Sequence, residues 1–219
     1  MTVLETLNAQ HRQFRRCFIL LFTIVVMAAA FNNPAVAKPV TIVAFGDSLT
    51  AGYGLASQEA YPVKLQAALR AKGYDVTITN AGVSGDTSTG GLQRLDWSIG
   101  KDVDLVIVEL GANDALRGIE PSVTRQSLTE IVTRLRADGK KVLLAGMLAP
   151  PNLGDDYGNE FKVIFTDLGK LEGVTLYPFF LEGVAGDPTL NQPDGLHPTA
   201  KGIDEIVKRL LPVIEPMLK

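Results

Sequence analysis

The feature that most constrains this chain is an alternation of two periods. Five short apolar runs read as strands: Val40 to Phe45, Asp75 to Thr79, Asp104 to Leu110, Lys141 to Met147 and Val174 to Tyr177. Longer segments of helical period separate or follow them, at about Tyr61 to Lys72, Ser122 to Ala137, Tyr157 to Leu171 and Thr199 to Leu218, with a less regular one over about Thr87 to Trp97. Runs such as Leu105-Val106-Ile107-Val108 are apolar at consecutive positions, which suits strands covered by helices on both faces. A β-α-β order joins parallel neighbours, so the pattern predicts an α/β fold: a central parallel sheet of about five strands in a three-layer α/β/α domain. In such open sheets ligands bind beyond the carboxyl ends of the strands, near the switch in strand order. Chemistry is therefore sought among the residues that follow each strand.

The segment before the first strand follows other rules. Arg12, Arg15 and Arg16 precede an apolar run from Cys17 to Phe31, and Ala35-Val36-Ala37 follows it. Basic, apolar and small-x-small regions in that order predict a secretory signal peptide cleaved after Ala37. The alternative is a retained anchor, but the run is 15 residues long, short of the roughly 20 that a spanning helix needs. The expected organisation is a leader over residues 1–37 and one domain over 38–219. Such a protein would be exported across an inner membrane to the periplasm and would keep no stable membrane anchor.

Without the leader, 182 residues remain, enough for one domain with a sizeable core. Glu5, Arg12, Arg15 and Arg16 leave with it, so 18 basic residues face 23 acidic ones. That balance, with no basic run, argues against a nucleic-acid partner. His11 and Cys17 leave as well, and the mature chain would hold no cysteine and one histidine, His197. Disulfides and cysteine nucleophiles are then excluded, and a zinc site built from His and Cys nearly so. No metal or cofactor is expected.

Each loop after a strand is ambiguous singly. Phe45-Gly46-Asp47-Ser48-Leu49-Thr50 presents a hydroxyl on a Gly-led turn, suited either to a nucleophile or to an ordinary cap. It lacks the glycine spacing and the Lys-Ser/Thr pair of a phosphate loop. Asn80-Ala81-Gly82-Val83-Ser84-Gly85-Asp86 is either a turn or a loop whose N–H groups approach a developing oxyanion. Asn113, in Gly111-Ala112-Asn113-Asp114, offers an amide donor at such a place, and Asn also forms turns. In the last loop, Pro193-Asp194-Gly195-Leu196-His197-Pro198, Asp194 lies three residues before His197 and is close enough to orient its imidazole. Together a hydroxyl, oxyanion donors and an acid–base pair fall in order on one sheet edge, which coincidence explains poorly.

The segments Gly46-Asp47-Ser48-Leu49, Gly82, Gly111-Ala112-Asn113-Asp114 and Asp194-Gly195-Leu196-His197 resemble the four blocks of the SGNH, or GDSL, hydrolases. The likeness spans about Val40 to the C-terminus. A closer similarity, to the bacterial periplasmic acyl-CoA thioesterase, arylesterase and lysophospholipase branch, is carried by Gly46 to Tyr53, Val83 to Ser88 and Val108 to Gly118.

The resemblance implies a flavodoxin-like α/β/α fold and a serine esterase. Ser48 would be the nucleophile, His197 the base and Asp194 its orienting acid. The N–H groups of Ser48 and Gly82 and the side chain of Asn113 would hold the oxyanion. The partner would be a small ester or acyl thioester, lysophospholipids included; oligomeric state is left open. Asp47 and Asp114 read as hydrogen bonders that fix loops. The segment from Met147 to Asp156 is, by analogy, a substrate loop or a plain surface loop. Two alternatives stay open: a carbohydrate acetylesterase using the same residues, and a binding protein that keeps the fold without the chemistry. If His197 is the base, activity falls on the acid side as its imidazole takes up a proton.

Overall fold

Ile42 to Phe45 and Leu105 to Val108 are almost wholly out of water, as runs apolar on both faces must be. They are the centre of the sheet in the computed structural model, which describes residues 39–219. The expected leader and its cleavage point lie outside those residues. The strands are β1 (Val40–Gly46), β2 (Val76–Gly82), β3 (Leu105–Glu109), β4 (Lys141–Ala145) and β5 (Val174–Tyr177). All neighbours pair in parallel, in the order β2-β1-β3-β4-β5.

Seven α-helices occur among the described residues: α1 (Ser48–Ala51), α2 (Tyr61–Ala71), α3 (Ser88–Ser98), α4 (Ala112–Leu116), α5 (Pro121–Ala137), α6 (Asp155–Leu168) and α7 (Ala200–Ile214). Helices α2 and α7 pack together, as do α3, α5 and α6 side by side, and the right-handed crossover rule puts the two groups on opposite faces of the sheet. The expected three layers are thus present. The longer helices seal the sheet with buried stripes, such as Ile203, Ile206, Val207 and Leu210 on α7. Burying a side chain of that size contributes about 1.5–3 kcal/mol.

Two departures from the sequence reading affect the site. β2 runs beyond Thr79 to Gly82, because its pairing with β1 continues to Gly46↔Gly82. Gly82 therefore ends a strand and does not open a loop. Residues 112–116, expected as loop, form the short helix α4 after Gly111.

The chain leaves β1 toward β2 on one side and returns to β3 on the other. The loops after β1 and β3 diverge at this switch and leave a crevice.

Candidate active site

Ser48 begins α1 immediately after β1. The turn is held by Asp47, whose Oδ1 accepts the Leu49 N–H at 2.9 Å and so caps the helix. The Ser48 N–H finds no acceptor among the described residues, and Ser48 lines the crevice.

The C-terminal loop brings His197 to that serine. Its Nε2 lies 2.9 Å from Ser48 Oγ, and its Nδ1 lies 2.7 Å from Asp194 Oδ2. The other oxygen, Asp194 Oδ1, accepts the N–H groups of Leu196 and His197 at 2.9 and 3.0 Å. These bonds hold the Asp194 carboxyl down at about 2, the backbone N–H of His197 contributing most. An ionised Asp194 can only accept, so Nδ1 carries the hydrogen and Nε2 is left to accept one from Ser48. The loop itself is closed by Gln192, whose N–H donates to His197 O at 2.7 Å and whose Nε2 donates to Tyr53 O, also at 2.7 Å. The Tyr53 ring lies against the imidazole at 4.5 Å between centroids. Tyr53 thereby joins the loop after β1 to the imidazole, a contact that sequence reading missed.

Asn113, the second residue of α4, directs Nδ2 to Asp47 Oδ2 at 2.9 Å. One amide hydrogen is used there; the second is free for a ligand in the crevice. Gly82 is placed otherwise than the sequence reading expected. Its N–H donates to Asn80 Oδ1 at 2.9 Å. A Cβ on it would stand 2.2 Å from the Ala51 nitrogen, so Gly82 is required for close packing of β2 beneath α1. Gly85, three residues on, lines the crevice with Ser48 and Asn113, whereas Gly82 does not. The Gly85 N–H has no acceptor among the described residues. The parallel register could have revealed this: a strand paired with β1 up to Gly46 must consume Gly82 before the loop begins.

Buried polar side chains fix these loops. Asp114 accepts from the Ser88 N–H, the Ser88 hydroxyl and the Thr124 hydroxyl. Asp47 and Asp114 are thus loop-fixing groups, as the sequence suggested. Arg94, hidden beneath the crevice, donates to Gly46 O and Ala81 O at 2.9 Å each and pairs with Asp86. It ties the ends of β1 and β2 to the loop that carries Gly85. Burial raises the Asp47 carboxyl to about 6, against the lowering effect of its Leu49 and Asn113 bonds. Glu109, at the end of β3, is pushed well above the usual range by burial and by the Asp47 charge.

Ser48 and His197 open into a cleft of about 650 Å3. Its walls are mostly apolar: Leu116, Met147, Leu148, Pro150, Phe179 and Leu181. Residues 147–151 of the segment from Met147 to Asp156 line it, so that part of the segment borders the cleft. Among the described residues no cluster of His, Cys, Asp and Glu is arranged to hold a metal. The chemistry the arrangement can perform is acyl transfer: a hydroxyl with an oriented base, in a cleft also lined by residues whose N–H groups have no acceptor among the described residues.

Known proteins share this organisation. Esterase TesA of Pseudomonas aeruginosa is 39% identical over 179 residues, covering 81% of this chain and 89% of the relative. Thioesterase 1/protease 1/lysophospholipase L1 of Escherichia coli K12 is 35% identical over 202 residues, covering 90% of this chain and 92% of the relative. The crystal structure of AlinE4, an SGNH-hydrolase family esterase, superposes with a TM-score of 0.70 at 46% identity, covering 84% of this chain and all of that one. Residues 44–204 match the GDSL-like lipase/acylhydrolase family, to which this chain belongs as a serine esterase of the SGNH type.

Proposed function

We propose that the esterase works through an acyl-enzyme on Ser48, and that its substrates carry an apolar acyl chain. The observation that supports this is the unbroken line from Asp194 through His197 to Ser48 at the mouth of an apolar cleft. Ser48 Oγ attacks the acyl carbonyl while His197 Nε2 takes its proton. The carbonyl oxygen becomes an oxyanion held by the N–H groups of Ser48 and Gly85 and by Asn113 Nδ2. Gly85 takes the place that the resemblance assigned to Gly82, whose N–H is already bonded to Asn80. Collapse of the intermediate expels the alcohol or thiol, protonated by His197, and a water activated by the same imidazole then releases the acid.

The chemical test is a fluorophosphonate, whose phosphoryl oxygen stands where the oxyanion would. It should label Ser48, and in a crystal structure of the adduct that oxygen should lie within about 3 Å of Ser48 N, Gly85 N and Asn113 Nδ2. Labelling elsewhere, or contact with Gly82 N in place of Gly85 N, would refute the assignment.

Aryl esters, acyl thioesters and lysophospholipids share this chemistry and differ in what leaves. Their common part is the acyl chain, and the side chains around the cleft suit it. An acetylated sugar would meet mostly apolar side chains there, with few polar partners beyond Tyr53, Ser84 and Asn191. Each methylene that leaves water contributes about 0.8 kcal/mol, roughly fourfold in kcat/KM. In a series of p-nitrophenyl esters, kcat/KM should therefore climb from acetate by several-fold per added carbon until the cleft is full. A series that is flat, or highest at acetate, would refute the acyl-chain assignment.

A further inference from the structure

Glu109 is the one fully buried carboxyl beneath the nucleophile loop that the mechanism above leaves without a task. It ends an otherwise apolar strand and has no exposed surface, and Asp47 beside it has none either. Glu109 Oε2 accepts the Thr50 hydroxyl at 2.7 Å and the Asp47 N–H at 3.3 Å. Glu109 Oε1 is buried with no hydrogen-bond partner. The two buried carboxyl groups are neighbours, joined through the Asp47 N–H that Glu109 Oε2 accepts. When both are ionised they are acceptors only, so a bond between them requires a proton on one.

Among the described residues no cation is bonded to the pair. Arg94 is spent on Asp86, Ser98 and the carbonyls of Gly46 and Ala81. The other titratable groups facing it are Tyr61 of α2, whose hydroxyl is buried without a partner, and His197. Two adjacent buried charges without a counter-ion are costly, and one shared proton removes that cost. Each Asp47 oxygen already accepts a hydrogen bond, Oδ1 from Leu49 N and Oδ2 from Asn113 Nδ2, whereas Glu109 Oε1 accepts none. The proton therefore belongs on Glu109.

We propose that Glu109 is kept as a neutral carboxylic acid whose O–H donates to Asp47, and that it is a positioning residue for the oxyanion donor Asn113. An ionised Asp47 accepts only, so Asn113 must turn its NH2 toward it, which leaves the second N–H aimed into the crevice. A protonated Asp47 would accept the opposite amide orientation and present a carbonyl oxygen to the oxyanion. The link runs from Glu109 to Asp47 to Asn113, with no contact between Glu109 and substrate. Its kinetic consequence rests on the esterase reading above; its protonation does not.

Infrared spectra of the folded protein at pH 7 should show a carboxylic-acid C=O stretch, which ionised carboxylates lack. The band should vanish in Glu109→Gln and persist in Asp47→Asn. Because Glu109 titrates above its ordinary value of 4.5, the folded state favours its neutral form. Wild-type stability relative to Glu109→Gln is then greatest below that value and is lost as pH rises toward the folded one. The melting temperature of Glu109→Gln minus that of wild type should accordingly increase with pH.

In turnover, Glu109→Ala should lose about tenfold or more in kcat with KM little changed. Glu109→Gln, which keeps a neutral donor toward Asp47, should restore most of that loss. An acid band missing from the wild type, melting curves that stay parallel with pH, or an unimpaired Glu109→Ala enzyme would each overturn the proposal. The first two readouts need no activity, so they remain decisive even if the esterase mechanism fails.

Discussion

Replacing Ser48 or His197 with alanine should each lower kcat by on the order of 10^6-fold, and the double replacement should cost no more than either alone. The reason lies in the single hydrogen bond between them, Ser48 Oγ to His197 Nε2 at 2.9 Å. Without the imidazole the hydroxyl keeps its proton and is a poor nucleophile; without the hydroxyl the imidazole has nothing to activate. The two form one functional unit, and their losses do not add. What survives in all three variants is the binding cleft and the oxyanion donors, so KM should change little. His197 is partly exposed and Ser48 only partly buried. Truncation at either leaves no large cavity, and melting temperatures should stay near that of the wild type. Steady-state kinetics on a p-nitrophenyl ester, with matched thermal melts, measures both. If the two losses multiply in the double variant, Ser48 and His197 act independently and the mechanism is mistaken.

Much of this site could be read from the chain because its parts are local in sequence. Asp194 and His197 share one loop, so their pairing follows from a three-residue spacing. Ser48 and Asn113 each follow an apolar strand, and the β-α-β rule places such positions on one edge. The apolar runs likewise foretold five strands and three layers, since only a sheet covered on both faces buries consecutive apolar residues.

What escaped the sequence depends on pairing between distant strands. Whether Gly82 or Gly85 faces the crevice is decided by how far β2 runs beside β1, which appears in the register Gly46↔Gly82 and in no local pattern. Arg94 and Glu109 were missed for a related reason. Each is a charged residue with an apolar neighbour, and one partner of each, Gly46 for Arg94 and Asp47 for Glu109, lies 48 and 62 residues away. A carboxylate closing the run Leu105 to Val108 was the available signal for Glu109, because burial there demands a partner or a proton. The Tyr53 contact with His197 was equally out of reach, since it spans the chain from the first strand's loop to the last.

Asp194→Asn should cost about 10^4-fold in kcat while leaving the fold intact. Asparagine is nearly the same shape, and its Oδ1 can still accept the N–H groups of Leu196 and His197 that Asp194 Oδ1 now accepts. Its NH2 group then occupies the place of Oδ2, 2.7 Å from His197 Nδ1. A donor at that place requires Nδ1 to accept, which moves the imidazole hydrogen to Nε2. The nitrogen facing Ser48 becomes a donor and cannot take the serine proton. The loss is therefore one of tautomer and not of structure, and stability provides the control. Asp194 titrates at about 2, below its ordinary 3.8. Its ionisation favours the folded state above the ordinary value, and that contribution disappears only as pH falls through the folded one. Between about pH 8 and 9, above the range in which an imidazole ordinarily titrates, it is constant, so melting curves of Asp194→Asn and wild type should run parallel there. A variant that keeps more than about a tenth of wild-type kcat would show that Asp194 does not set the tautomer. A stability gap that widens within that pH range would mean the carboxyl titrates where the geometry says it is already ionised.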